Sequence, residues 1–192
     1  MIMKISSDAI ERARKVELII FDVDGVLTNG KIYIGVNGEL FKAFNCRDGF
    51  GISNAQKVGL KTAIITGRSS PCTANRAREL GIAAIKQGQM NKRNAYKELK
   101  AEFNLTDDKI AYVADDVIDL PVFVQVGFRA AVGDADEEVK KRAHFIANKI
   151  GGNGAVREVL EFILKAQGKW AEIVRQYSNV EDDGKFSYDL MQ

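Results

Sequence analysis

The chain has 192 residues, 46% of them hydrophobic, with 28 Lys and Arg set against 26 Asp and Glu. That length supports one well-buried domain and is short for two. The near-balanced charge, without a basic block, argues against nucleic acid as a partner, and no apolar run is long enough to export the chain or span a membrane. Cys46 and Cys72 lie far apart without C-x-x-C spacing, which reads as free thiols in a reducing, cytoplasmic compartment. A single histidine, His144, excludes a His-rich metal site. We assign it and both cysteines to packing.

In chain order, the first element is an apolar run over 18–21, of strand length and composed for burial on both faces. Residues 31–34 and 39–44 flank Val36-Asn37-Gly38, and Asn-Gly is a strong hairpin signal. A helix over 49–58 ends at Gly59, a strand follows at 62–65, and a helix over 71–80 closes at Gly81. Next come a strand at 83–85, a helix over 91–103, a turn at 106–108 and a strand at 110–113. A short helix over 120–126 carries Pro121 in its first turn. A strand at 130–132, a helix at 135–142, a strand at 145–147, a glycine-rich loop at 151–154 and a helix at 155–167 complete the pattern. Strands alternating with helices predict an α/β, doubly wound, Rossmann-like parallel sheet. The domain is expected over 1–170, with the hairpin inserted at 31–45. Residues 171–192 read as a C-terminal tail, either frayed or docked on a neighbouring subunit through Phe186, Tyr188, Leu190 and Met191.

Four segments carry chemistry. Asp22 and Asp24 follow the first strand at its carboxyl end, where open α/β sheets bind ligands. An isolated Asp-x-Asp-Gly is more often a turn, and it is the other three segments that favour chemistry here. In the second, Thr66-Gly67 ends a strand, so that a hydroxyl and an unobstructed backbone N–H can donate to a phosphate; N-capping by Ser69 or Ser70 is the plainer reading. Lys92 falls in a first helical turn, where the dipole disfavours a cation unless an anion compensates it. Asp115-Asp116 ends another buried strand, with Asp119 just beyond. Two carboxylate clusters on one sheet edge are the oxygen-rich donor set that Mg²⁺ selects.

Asp22-Val23-Asp24-Gly25-Val26-Leu27-Thr28, Thr66-Gly67-Arg68, Lys92 and Asp115-Asp116-Val117-Ile118-Asp119 together resemble the four motifs of the haloacid dehalogenase superfamily of phosphohydrolases. Arg47-Asp48-Gly49, Thr66 through Pro71, Gln87-Gly88 and Gly151-Gly152-Asn153-Gly154-Ala155-Val156-Arg157-Glu158 narrow the resemblance to the 3-deoxy-D-manno-octulosonate 8-phosphate phosphatases. The likeness covers 16–167 and departs at Ala114, where the family usually has Gly. It implies a haloacid dehalogenase fold without a cap domain, cytoplasmic, acting on a sugar acid phosphate in lipopolysaccharide precursor synthesis. It further implies Asp22 as nucleophile and Asp24 as general acid and base. Mg²⁺ would be held by Asp22, the Asp24 backbone carbonyl, Asp115 and then Asp116, with Asp119 behind them. Thr66, Gly67 and Lys92 would bind phosphate, and Thr28, Arg47, Arg68 and Arg157 are candidates for the rest of the substrate. The family also implies a homotetramer with shared active sites, which suits a hairpin bearing Ile32, Ile34, Leu40 and Phe44.

Two other readings compete. A nonulosonate 9-phosphate phosphatase differs by one carbon in the sugar chain, and Arg68 after Thr-Gly leans toward the octulosonate. A non-catalytic phospho-acceptor or structural relative would carry adjacent acids after the first strand or lack an aspartate or the lysine, and this chain does neither.

Overall fold

The computed structural model describes residues 6–178. Helix α1 (Ser7–Lys15) leads into strand β1 (Leu18–Phe21), followed by the hairpin β2 (Tyr33–Gly35) and β3 (Gly38–Phe41). Then come α2 (Cys46–Lys57), β4 (Lys61–Ile65), α3 (Pro71–Glu79), β5 (Ala84–Lys86) and α4 (Lys92–Glu102). After these run β6 (Ile110–Ala114), α5 (Leu120–Phe123), β7 (Phe128–Ala131), α6 (Glu137–Lys140), β8 (Phe145–Ile146), α7 (Ala155–Ala166) and α8 (Trp170–Ser178).

The main sheet has the order β5-β4-β1-β6-β7-β8, with every pairing parallel. The chain lays β4 and β5 to one side of β1, then crosses back to place β6 on the other. The switch point, where a crevice opens at the carboxyl edge of such a sheet, therefore lies between β1 and β6. Every residue of both strands is buried. Alternate side chains point to opposite faces, so complete burial means that helices cover both. One group is α1, α2, α7 and α8, packed on one another; the other includes α4 packed on α5. The doubly wound parallel sheet is as expected, and among the described residues the hairpin is the one secondary-structure unit between β1 and α2.

Asp48 locks the two ends of the fold together. Its buried carboxylate accepts N–H bonds from Gly154 (3.2 Å) and Arg157 (2.7 Å), capping α7 from the first turn of α2. The capped helix buries Val156, Val159, Leu160, Ile163 and Leu164, roughly 1.5–3 kcal/mol for each large side chain.

Several boundaries differ from the sequence expectation. Helix α1 was not expected: its buried positions are the small Ala9 and Ala13, set in a segment that is strongly charged as a whole. Helix α2 starts at Cys46, since the Asn45 side chain accepts the Arg47 N–H and caps it. Helices α5 and α6 shrink to single turns, and β7 begins two residues early, at Phe128. The expected tail start is corrected by α8: Ile173 is buried, and the Tyr177 hydroxyl donates to Asn54 Oδ1 at 3.1 Å. Trp170, Ile173, Val174 and Tyr177 have helical spacing; Ile173 joins the core and Trp170 packs against it, while Val174 and Tyr177 stay exposed. The docking expected of Phe186, Tyr188, Leu190 and Met191 lies outside the described residues.

His144 sits behind the sheet edge, its Nδ1 accepting the Arg129 backbone N–H at 3.1 Å and its Nε2 facing the Arg129 guanidinium at 2.7 Å. Burial, then the Arg129 charge, pushes the imidazole from 6.5 down to about 4. The unfolded chain therefore binds a proton that the folded chain refuses between these values. Stability should be complete above pH 6.5 and fall as pH drops toward 4, by about 1 kcal/mol after solvent screening. Urea midpoints at neutral and acidic pH should show this loss, and His144→Gln should reduce it.

Candidate active site

The site is assembled at the carboxyl ends of β1 and β6. Phe21 pairs with Val113 across the switch point, so the next residues bring Asp22 beside Ala114 and Asp115. One carboxylate oxygen from each of Asp22, Asp115 and Asp119 falls within 4.8 Å of the others. Three acids at this separation cannot all stay ionised in a protein interior without a cation.

One cation is built in. The Lys92 ammonium lies 2.6 Å from Asp119 Oδ1 and 2.8 Å from Asp22 Oδ1, with 1% of its side chain exposed. Its hydrogen bond is directed at Asp119, leaving Asp22 Oδ1 charge-paired but without an aligned donor. Burial would push the ammonium down, but the two carboxylates outweigh it and raise Lys92 above its usual range. The dipole objection to a cation at the start of α4 is thus met by carboxylates of the chain itself. Asp119 is fully buried and acts as a strut: Oδ1 also accepts from the Tyr112 hydroxyl at 2.8 Å, and Oδ2 from the Asp115 N–H at 3.4 Å.

One lysine does not balance the cluster. Burial first, then Asp119, raises Asp22 to about 6 against the pull of Lys92. Burial, then Asp22 and Asp119, raises Asp115 to about 8. Asp115 Oδ1 is buried without a hydrogen-bond donor, and Asp22 Oδ1 has the Lys92 ammonium alone beside it. Orphaned carboxylate oxygens with raised proton affinity fit a hard divalent cation with oxygen ligands.

Gly25 makes room for this arrangement. Its φ is +95°, and a Cβ there would lie 1.9 Å from Asp115 Oδ2. The Gly151-Gly152 turn seals the same loop from outside: the Gly152 N–H donates to Val26 O at 2.9 Å, and a Cβ on Gly151 would lie 1.7 Å from Gly25 O. Ala114 is wholly buried and paired with Ala131, so its methyl packs in the core.

Asp24 lies at the mouth. Oδ1 accepts from Lys42, just after β3, and Oδ2 is 3.9 Å from Arg68 Nε. Thr66 and Gly67 follow β4, the neighbour of β1. Thr66 is buried with its backbone held by Lys86 O and the Gln89 N–H, both at 2.9 Å. Gly67 lies beside Met90, whose sulfur would be 3.4 Å from a Cβ placed there.

The geometry does not bring in all the expected residues. Asp116 is exposed and accepts the Val117 N–H at 2.7 Å, capping a short 3-10 turn; the acid that joins Asp22 and Asp115 is instead Asp119. Asp116 precedes Asp119 in the chain, but the turn it caps carries Asp119 back under the cluster. Arg157 is held elsewhere, its guanidinium 4.7 Å from both the Phe50 and Trp170 rings and its Nε 2.8 Å from Glu161. Thr28 is buried as a loop brace, its hydroxyl donating to Val23 O and accepting from the Gly30 N–H, both at 3.3 Å. Arg47 is exposed in the first turn of α2. Of the four substrate candidates, Arg68 is the one placed against Asp24. Sequence reasoning missed Lys42 and Glu39. Their only signal was charge inside the otherwise apolar hairpin strand.

The family model of the haloacid dehalogenase-like hydrolases matches residues 78–160. The 3-deoxy-D-manno-octulosonate 8-phosphate phosphatase KdsC of Escherichia coli K12 is 46% identical over 168 residues, covering 88% of this chain and 89% of that protein. The crystal structure of the same-named phosphatase from Yersinia pestis is 46% identical, with a TM-score of 0.84 over 86% of this chain and 89% of that one. The Moraxella catarrhalis phosphatase, solved with magnesium, phosphate and a KDO molecule, is 38% identical, with a TM-score of 0.86 over 88% of this chain and 98% of that one.

The space at Gly25 is the constraint that acts directly on an acid of the cluster. Gly25→Ala should push Asp115 aside and weaken divalent cation binding by ~10- to 100-fold, the range seen when ligand-orienting groups are disturbed. Calorimetric titration of the variant with Mg²⁺ would show it, and unaltered affinity would contradict the geometry.

Proposed function

We propose, from the premise that this chain belongs to the haloacid dehalogenase-like hydrolases and within them to the 3-deoxy-D-manno-octulosonate 8-phosphate phosphatases, a mechanism in which Asp22 is the nucleophile and Asp24 the general acid and base. The reaction hydrolyses 3-deoxy-D-manno-octulosonate 8-phosphate to the free sugar acid and phosphate, a step of lipopolysaccharide precursor synthesis. The observation that carries this reading is the buried Asp22–Lys92–Asp119 pairing beside Asp115, which sets a nucleophile and a fixed cation on one sheet edge.

Asp22 attacks phosphorus and forms an aspartyl phosphate while Asp24 protonates the departing sugar oxygen. Asp24 then takes a proton from the water that opens the aspartyl phosphate, which releases phosphate and restores Asp22. The Thr66 hydroxyl, the Gly67 N–H and the Lys92 ammonium hold the transferring oxygens, in line with phosphoryl transfer as chiefly a matter of positioning and electrostatics. Asp22, Asp115 and the Asp24 carbonyl would hold Mg²⁺, which supplies positive charge to the phosphoryl oxygens. Asp119 keeps Lys92 and the Asp115 backbone in place from behind. Arg68 is the candidate for the substrate carboxylate, as a planar donor already at the mouth of the site.

The assembly proposed is a homotetramer with shared sites. Ile32, Ile34, Val36, Leu40 and Phe41 are exposed on the hairpin, Ile34 at 69% and Val36 fully. Apolar side chains clustered on a two-stranded edge mark an interaction surface. Phe44, expected there, instead packs against the core. A cytoplasmic location is supported by the free Cys46 and Cys72, and none of the described helices is long and apolar enough to cross a membrane.

Phosphate release from the octulosonate 8-phosphate should require Mg²⁺ and stop with a chelator, and Asp22→Asn should fall to background. Asp24→Asn should lose about 10²- to 10⁴-fold on the sugar phosphate and far less on p-nitrophenyl phosphate, whose leaving group needs no proton. Near wild-type turnover by Asp22→Asn would overturn the covalent mechanism. For the assembly, Ile32→Glu with Ile34→Glu should reduce the mass measured by light scattering and lower activity on every substrate. A fully active wild-type monomer would exclude shared sites.

A further inference from the structure

Lys42 lies outside the four motifs, yet its side chain is 2% exposed and its ammonium pairs with Asp24 Oδ1. A desolvated ammonium persists only between compensating anions. The second anion is Glu39, whose Oε2 is 3.3 Å from Lys42 Nζ and 3.8 Å from Arg68 Nη2, and whose Oε1 accepts from the Ser70 hydroxyl. Ser70 is the N-cap of α3, next to the Thr66-Gly67 phosphate loop. A continuous polar chain thus runs from the phosphate loop through Ser70, Glu39 and Lys42 to one oxygen of Asp24. The other oxygen, Oδ2, is buried without a hydrogen-bond donor.

The geometry points to Lys42 as a positioning residue that clamps Asp24 by Oδ1 and so presents Oδ2 as the oxygen that exchanges the proton with the leaving group. This rests on the role of Asp24 given above. An unrestrained carboxylic acid can turn its unprotonated oxygen toward the ester, where it has no proton to give. With Oδ1 occupied by an N–H donor, Oδ2 is the oxygen left free to pass a proton to the leaving group. As the P–O bond breaks, its electron pair stays on the sugar oxygen, which takes the proton from Oδ2. The hairpin thereby has a second task besides association: it carries the group that aims the acid.

Kinetics on three substrates test this: the octulosonate phosphate, a plain alkyl phosphate without a carboxylate, and p-nitrophenyl phosphate. Lys42→Met should lower kcat about 100-fold on both alkyl esters, near the lower end of general acid contributions, with little change on the aryl ester. Lys42→Arg should recover most of the loss. Because Lys42→Met leaves Glu39 facing Asp24, the double variant Glu39→Gln/Lys42→Met removes a charge of each sign and should show the same selectivity. An equal loss on all three substrates would make Lys42 structural, and a KM effect confined to the octulosonate would make it a carboxylate ligand; either overturns the proposal. If Asp24→Asn itself lacks the leaving-group dependence, the acid assignment fails first and separately.

Discussion

The structure depends on the concentration of negative charge where β1 and β6 end side by side. Parallel strands buried on both faces must place their first polar residues at the sheet edge, and here those residues are carboxylates on both sides of the switch point. Lys92 and Asp119 make that tolerable. The lysine neutralises part of the charge, and Asp119 holds it while also bonding Tyr112 and the Asp115 backbone. Raised proton affinity at Asp22 and Asp115 shows that one cation is too few. A divalent cation with oxygen ligands would make up that deficit.

Much of the surrounding architecture answers a packing need created by this charge. Gly25 has to lack a side chain for Asp115 to approach its loop, and Gly151 and Gly152 have to lack one for the outer turn to seal that loop. Asp48 caps the helix that follows this turn, so a carboxylate in the first turn of α2 stabilises the far side of the site's wall. Arg157 braces the same junction between Phe50 and Trp170. These residues share motif-like spacing with catalytic groups, yet their work is to hold backbone segments closer than side chains normally allow.

The hairpin joins two levels of organisation. Its outer surface exposes apolar side chains, while Glu39 reaches inward to Ser70 and Lys42 to Asp24. Surface burial in an assembly and alignment of the acid would then be linked through a few residues of one strand.

Local pattern determined the parallel α/β sheet, the hairpin, the order of the elements and the acids at the ends of β1 and β6. Strand burial and helix caps are properties of neighbouring residues, so they could be read directly. The same logic failed for α1, whose buried face is two alanines in a highly charged segment, and for α8, whose spacing is hidden behind Gly168 and a polar flank. Pairing across the fold was decided by tertiary structure alone. Spacing could not say that Lys92 would meet Asp119 as well as Asp22, that Lys42 would reach Asp24, or that Arg157 would be held between two rings. Among 28 cations and 26 anions, a chain-local pattern does not specify a partner, because ion pairing depends on which groups the packed sheet and helices bring together out of water.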